Sequence, residues 1–544
     1  MNILRLLKGG PPASRRFIFT ITSLSGLGNA GLVGLINQAA EQTLIGQKVG
    51  LQLIVVYLLT LTFFLLSNRT SLHQANRFVQ SRLEATRRRI VNKIRKADLR
   101  ALERLGHGDI YVTVAQETDH LSQSLPLMIG AAQSAFLLVF LLLYIATISL
   151  ISFVVVGGFF ALGLYFFLAR QKALTASIAQ VHYREAEMLD TLSHFTLGFQ
   201  EIRLNADKNE ALFSHFADVS DRLREVVVGL GGRWVALLQF SNAFFYMLIG
   251  VVVFVLPLFF EGYTDTIYKI TAASVFSLGP MAAITSVVRL VGRAESGLGH
   301  VYALEKRLDE HAPPPVGPSP RERSPFRSFS AIELSGTAFR YVDGEGNNTF
   351  SAGPLNLSLR RGEIVFMTGG NGSGKSTALK LLCGLYTPDE GRILCDGVEI
   401  GDENRQEYRE IFSSIFTDFY LFDRLYGIVD AEPEDVERLI ARMELSDKVG
   451  FVNGRFTTSD LSTGQRKRLA MIVAMLEDRE VYLFDEWAAD QDSHFRDVFY
   501  REILPDFKAR GKTVLAVTHD DHYWDCCDRR VTLDLGMILP YGEA

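Results

Sequence analysis

Cysteine is scarce: four residues among 544, Cys383, Cys395, Cys526 and Cys527, and none earlier in the chain. Their spacing matches neither a zinc-ligand pattern nor a disulfide framework, so ordinary thiols are expected. A surplus of charge is missing too. The balance of 56 basic against 61 acidic side chains leaves a formal net charge of −5. That gives no basis for wholesale nucleic-acid binding, and no nucleic-acid partner is expected. With 48% hydrophobic residues and only 45 glycines and 16 prolines, a disordered chain and a collagen-like repeat are excluded. The mean hydropathy of +0.14 is unremarkable, but an average hides segregation.

Charge is locally absent in a telling way. Phe17 to Ala40, Val49 to Asn68, Pro126 to Ala169, Trp234 to Phe260 and Ile270 to Val288 hold no charged side chain. A membrane helix needs about 20 predominantly apolar residues, and the third run is long enough for two. The expectation is six spans, at about 17–40, 49–68, 126–147, 150–169, 234–260 and 270–290, with a tight hairpin near Ser149. Buried core helices of a soluble protein would have to produce five such runs by coincidence. Lys and Arg fix the orientation. Arg5, Lys8, Arg15 and Arg16 precede the first span, and two long loops carry clusters that include Arg87, Arg88, Arg89, Lys93 and Arg95, then Arg184, Arg203, Arg222 and Arg224. Only Lys48 and Lys269 lie on the other side. The positive-inside rule makes both termini and both long loops cytoplasmic. A basic start followed by an apolar run also resembles a signal peptide, but the run is long and no cleavage site precedes the second run. Within the spans, Asn29, Asn37, Gln38, Gln133, Gln239 and Asn242 are the notable polar groups; they either bond helix to helix or line a substrate path. No ionisable residue sits in mid-span, which argues against an intramembrane carboxylate relay.

The composition changes after Arg307. Residues 1–310 read as the transmembrane domain with long cytoplasmic helical extensions, 311–327 as a Pro-, Ser- and Arg-rich linker, and 328–544 as an α/β domain of Gly-punctuated strands and helices. The segment Gly369-Gly370-Asn371-Gly372-Ser373-Gly374-Lys375-Ser376 fits G-x4-G-K-[ST] between an apolar strand and a helix. Such glycines let backbone amides wrap a phosphate chain, the helix N-terminus adds positive charge, the lysine reaches the phosphates and the hydroxyl serves Mg²⁺. Val481-Tyr482-Leu483-Phe484-Asp485-Glu486 ends a strand on two carboxylates, one placed for a metal and the next for an attacking water. Leu461-Ser462-Thr463-Gly464-Gln465 opens a basic helix. It is either a second anion-binding turn or a simple N-cap.

This order of motifs, with Thr518-His519-Asp520 after the strand Val514 to Val517, resembles that of ABC transporter ATPase domains. Six spans ahead of one such domain resemble an exporter-type half-transporter, and Leu197 to Phe216 is similar to the cytoplasmic extension of those exporters. The implied fold is a membrane all-α six-helix domain plus an α/β P-loop ATPase domain.

The resemblance implies that Gly369, Asn371, Gly372, Ser373, Gly374, Lys375, Ser376 and Thr377 hold ATP phosphates, with Tyr341 stacked on adenine. Ser376 and Asp485 hold Mg²⁺, Glu486 polarises the hydrolytic water and His519 contacts the γ-phosphate. Ser462, Gly464 and Gln465 meet the nucleotide of a second copy, and Asp492 sits in a loop crossing to it. Three departures stand out: Thr463 for a glycine, Trp487-Ala488-Ala489-Asp490-Gln491-Asp492 after the glutamate, and Thr417 where a glutamine is expected, with Asp418 beside it as an alternative reach to the metal. The stretch from Asp485 to Asp492, with Thr417 to Phe422 and Thr518 to Asp521, resembles the cyclic-peptide exporter subfamily. Its members are similar to exporters of siderophore precursors, lipopeptides and lasso-like peptides. The expected function is therefore ATP-driven export of a peptide-like compound by a homodimer in a bacterial inner membrane, in contact with membrane lipid. A lipid flippase of the same architecture and a membrane-anchored regulatory ATPase are the alternatives.

Overall fold

The computed structural model describes residues 2–9, 11–44, 46–259, 267–310, 324–342, 347–428 and 431–539. It divides into two compact units, residues 1–92 with 108–306, and residues 93–107 with 307–544.

The first unit is helical. A short α1 (Asn2–Lys8) precedes α2 (Pro12–Leu44) and α3 (Leu51–Ile94); α4 (Leu99–Leu105) falls in the other unit. Next come α5 (His107–Tyr111), α6 (Thr118–Ile148), α7 (Leu150–Leu197), α8 (Phe199–Leu204) and α9 (Ala206–Gly250). The chain closes the unit with α10 (Leu256–Phe259), α11 (Ile267–Phe276) and α12 (Leu278–Glu310). Among the described residues, five helical stretches are long and apolar enough to cross a membrane, and a sixth apolar segment, Leu150–Phe166, opens the 48-residue α7. The break between α6 and α7 is the single residue Ser149, in extended conformation, whose hydroxyl accepts from the Ser152 amide and caps α7. The last apolar run is two helices rather than one. Pro280 lacks the amide that would bond back one turn, and the chain breaks at Ser277, whose hydroxyl donates to the Ser274 carbonyl at 2.6 Å.

Polar groups in these helices work between neighbours. Thr22 on α2 and Ser71 on α3 share a hydrogen bond of 2.9 Å. Asn37, buried, donates to the Tyr144 hydroxyl at 3.4 Å and to the Lys269 carbonyl at 3.3 Å, tying α2 to α6 and α11.

The second unit carries two sheets. One is antiparallel, in the order β2 (Asn348–Arg360), β1 (Ala331–Val342), β4 (Glu390–Cys395), β5 (Val398–Glu399). The other runs β12 (Met537–Ile538), β11 (Arg529–Asp534), β3 (Ile364–Thr368), β10 (Thr513–Val517), β9 (Val481–Asp485), β6 (Phe412–Ile415), and all but β12 are parallel. Central parallel strands are covered on both faces and so read as unbroken apolar runs. On β3, Ile364 and Phe366 enter one core while Val365 and Met367 enter the other; Tyr482 and Phe484 oppose Val481 and Leu483 on β9 in the same way. Around the sheets lie α13 (Lys375–Leu382), α14 (Arg405–Arg409), α15 (Pro433–Arg442), α16 (Thr463–Glu477), α17 (Ser493–Val498) and α18 (Leu504–Ala509), with the hairpin β7 (Phe451–Val452) and β8 (Arg455–Phe456).

Of the linker expected at 311–327, residues 311–323 lie outside the described residues. Its last part belongs to the folded unit, because Phe326 is buried and packs edge-on against Tyr408. All four cysteines are free; burial pushes the Cys383 thiol up to about 11 and that of Cys395 to about 12, which keeps both protonated and unreactive.

Candidate active site

Open parallel sheets present ligands at the carboxyl ends of their strands. Register places Met367, Val517 and Asp485 side by side at the ends of β3, β10 and β9. The loops that leave those ends are the three motif-bearing segments.

The loop after β3 turns through Gly369, Gly372 and Gly374, at φ of +142°, +76° and +97°, which side chains rarely adopt. A side chain at Gly369 would also collide with the Leu533 carbonyl. Asn371 is exposed at the turn, while the Ser373 hydroxyl is buried with no hydrogen-bond partner among the described residues. An orphaned buried hydroxyl at a helix N-terminus suits an anion. Lys375, the first residue of α13, is 6% exposed and donates to the carbonyls of Gly369 and Gly370 at 2.9 and 3.0 Å. Burial holds this lysine below its ordinary range, with Glu486 and Asp485 opposing the shift.

Asp485 is buried, which pushes its carboxyl up, while a hydrogen bond from Ser376 and others from Thr417 pull it back. Ser376, Asp485 and Thr417 thus converge. Thr417 also donates to the Asp485 carbonyl at 3.4 Å. Its neighbour Asp418 is exposed and has no hydrogen bond to this group among the described residues. Glu486 follows with φ of +52°, its amide donating to Val517 at 3.3 Å. His519 stands with Nε2 3.4 Å from Glu486 Oε1.

Tyr341 lies at the end of β1 in a ring cluster with Phe339, Phe350 and Tyr386. Its hydroxyl is 3.1 Å from Thr377 Oγ1 and donates to the Tyr386 hydroxyl at 3.3 Å. Tyr386 in turn donates to Glu103 on α4 at 2.7 Å, and Lys380 pairs with the same carboxylate at 3.2 Å. Sequence reasoning missed Tyr386 and Glu103; one carboxylate among several in an arginine-rich loop gives no sign of partners 277 and 283 positions away. Glu103→Gln should weaken nucleotide binding about fivefold, the worth of roughly one hydrogen bond. Titration with a fluorescent ATP analogue reads this, and Glu103→Asp should restore part of it.

Ser462, Gly464 and Gln465 form a separate turn at the start of α16. The Ser462 hydroxyl accepts from the Gln465 amide at 3.4 Å, and the Gln465 side chain accepts from the Ser462 amide at 3.2 Å, a capping box. No hydrogen bond joins this turn to the phosphate loop among the described residues. Asp492, exposed, caps α17 by accepting from the Phe495 amide at 2.9 Å.

The unusual residues after Glu486 have a physical reading. Lys467 is 2% exposed and lies 2.7 Å from Asp490 Oδ2, while it donates to the Glu486 carbonyl at 2.6 Å. Trp487 Nε1 donates to the Lys467 carbonyl at 3.0 Å, and Gln491 donates to the Gly464 carbonyl at 3.0 Å. Three of the departing residues therefore bind the Glu486 loop to α16. The sequence showed Lys467 only as part of a basic helix. Its spacing to the buried Met471, Ala474 and Met475 was the available signal that it points inward. Lys467→Met should cut ATP turnover about tenfold while changing ATP affinity little, since a bond to a charged group contributes about 1.5–3 kcal/mol and Asp490 is half exposed. Parallel kcat and binding measurements check it.

Comparison with known proteins agrees with this geometry. A family model described as "ABC transporter" matches residues 352–489. The ATP-binding protein SyrD of Pseudomonas syringae pv. syringae is 31% identical over 559 aligned positions, which span 99% of this chain and 96% of that protein. The ATP-dependent lipid A-core flippase of Cupriavidus pinatubonensis is 27% identical over 63% of this chain and 59% of its own. In fold, a bacterial Atm1-family ABC exporter solved with ATP bound superposes with a TM-score of 0.76 at 16% identity, over 97% of this chain and 94% of that one. The chain belongs to the ABC transporter family as a half-exporter, a helical membrane-spanning domain joined to an ATPase domain whose ATP hydrolysis drives transport.

Proposed function

We propose that two copies of this chain together export a peptide-like compound, a cyclic peptide, lipopeptide or siderophore precursor, across a bacterial inner membrane, with the ATPase domains in the cytoplasm. The observation that carries the peptide-like substrate is the segment from Asp485 to Asp492. Its departures match the cyclic-peptide exporter pattern, and Lys467, Asp490 and Gln491 build them into a connected structure. A relative named as a probable syringafactin export ATP-binding/permease protein, SyfD of Pseudomonas syringae pv. syringae, 31% identical over 39% of this chain and 34% of its own, supports an export role. The lipid A-core flippase relative favours the second reading, lipid transport.

Pairing follows from the two separate halves of the chemistry. One chain has one phosphate loop and one Ser462–Gln465 turn, and among the described residues no hydrogen bond joins the two; the turn's own bonds close its capping box. A second copy supplying Ser462, Gly464 and Gln465 completes each site, with Asp492 near the crossing.

Within a site, Tyr341 stacks on adenine, and the loop amides, Ser373, Lys375 and Thr377 hold the phosphates. Ser376 and Asp485 are placed to hold Mg²⁺, with Thr417 supporting Asp485; Asp418 remains a candidate that would have to turn inward. A Mg²⁺ ion held there would supply charge neutralisation at the phosphate oxygens. Glu486 accepts a proton from the attacking water as that oxygen bonds the γ-phosphorus and the bond to the bridging oxygen breaks. His519, 3.4 Å from Glu486, is positioned to contact the γ-phosphate. ATP binding then closes the pair and hydrolysis reopens it, so ATP and substrate affinities are thermodynamically linked.

ATPase stimulation in reconstituted membranes, across peptides, lipopeptides, siderophore precursors and glycolipids, tests the substrate class. Stimulation by peptide-like compounds supports the proposal; stimulation by glycolipids alone favours the flippase. ATP turnover without movement of any compound into inside-out vesicles favours a regulatory ATPase.

A further inference from the structure

We propose that α2, α3, α6 and α11 form a groove that binds an acylated, zwitterionic peptide, with the Glu41–Lys269 ion pair reading its charged head; this rests on the peptide-export reading and narrows it. The cavity measures about 620 Å³, within the range of sites for drug-sized ligands. It lies at the helix ends that the Lys and Arg distribution assigns to the side away from the cytoplasm.

One face of α2 provides its floor. Gly31, Gly34, Gln38 and Glu41 recur at helical spacing and all line the cavity. The glycines are not imposed by tight helix packing. An added Cβ would meet only Thr60 Cγ2 at 3.5 Å from Gly31 and Tyr144 at 3.8 Å from Gly34, ordinary contacts. At Gly26, by contrast, it would press on Phe136 at 2.8 Å. The open space beside Gly31 and Gly34 is therefore groove volume, walled by Val56 and Ile148, and suits an aliphatic segment.

The rim is polar and charged. Lys269 Nζ is 2.6 Å from Glu41; both residues line the cavity, and their side chains are 21% and 34% exposed. The pair sits at the helix ends, just beyond the uncharged runs, where the head of an inserted molecule can reach it. Architecture is already served, since buried Asn37 ties the same two helices together and α6 with them. The pair cancels its own charge, and Gln38, Thr60 and Tyr144 add neutral hydrogen-bonding groups. That set matches peptide amides and a head of both signs. A strongly anionic phosphate head would call for unopposed Arg or Lys.

The test uses the full chain in lipid nanodiscs and a myristoyl-Gly-Lys-Glu peptide with a diazirine in its acyl chain. Photolysis should label the segments Gly31–Glu41 and Val56–Thr60, and unlabelled peptide should compete. Thr60→Trp, which fills the groove, should cut labelling at least tenfold, whereas Leu66→Trp, further along α3, should leave it unchanged. Gly31→Leu fills the groove from α2 and serves if the first substitution fails to fold. Labelling spread over other spans, labelling indifferent to both fillings, or a diazirine phospholipid that occupies the groove and resists the peptide would overturn the proposal. ATPase stimulation is read on the same samples. Stimulation without groove labelling removes the groove and leaves peptide export standing; groove labelling without stimulation or transport removes peptide export and leaves the binding site.

Discussion

Replacing Glu486 with glutamine should lower steady-state ATP turnover by about 10² to 10⁴-fold, the usual contribution of a general base, while ATP still binds. Glutamine keeps the shape and its place 3.4 Å from His519 but cannot take a proton. The backbone that aims residue 486 would be undisturbed: its amide bond to Val517 and the Lys467 bond to its carbonyl involve main-chain atoms. Neighbouring contacts made by Lys375, Ser376 and Asp485 also stay. Phosphate release in proteoliposomes and nucleotide titration measure the two quantities separately. Turnover at the wild-type rate would remove Glu486 from the proton-accepting role; loss of ATP binding would show that it holds the phosphates instead.

Lys375→Ala should do the opposite, weakening ATP binding about 100-fold, as two charge-assisted bonds at about 1.5–3 kcal/mol each allow. Turnover at limiting ATP should fall with it. Lys375 is sequestered among the loop carbonyls, 6% exposed, and no other lysine shares the loop. Because burial lowers its affinity for a proton, the charge is lost at a lower pH than for an ordinary lysine near 10.4. ATP affinity should therefore decline on the alkaline side earlier than in a site with an exposed lysine. Titrations across pH with wild-type protein and Lys375→Arg check this, since arginine keeps its charge throughout and should flatten the decline.

Legibility in the sequence followed the range of the interactions. The phosphate loop, the Asp485-Glu486 strand end and the Ser462–Gln465 turn are chemistry written in consecutive residues, and each lies where strand and helix periods place it. The apolar runs were equally local, although Pro280 split the last run at Ser277 and the fourth apolar segment continues into the long α7. Residues that act across the chain left no comparable trace. Lys467 was one of several basic residues on a helix, and its sequence neighbours do not name Asp490 or the Glu486 carbonyl as its partners. Glu103 read as part of a basic loop, although Tyr386 and Lys380 hold it within the ATPase unit. Asn37 and Gln38 were visible as polar groups in a span, but their surroundings depend on three other helices. Glu41 and Lys269, 228 positions apart, pair only once those helices assemble.

The most direct test of the account is ATP-dependent uptake of a radiolabelled lipopeptide into inside-out vesicles carrying either wild-type protein or the Glu486→Gln variant. The account predicts uptake that needs hydrolysable ATP, stops in the variant and is competed by unlabelled lipopeptide. ATP hydrolysis by the wild type without uptake, or uptake that continues undiminished in the variant, would contradict it.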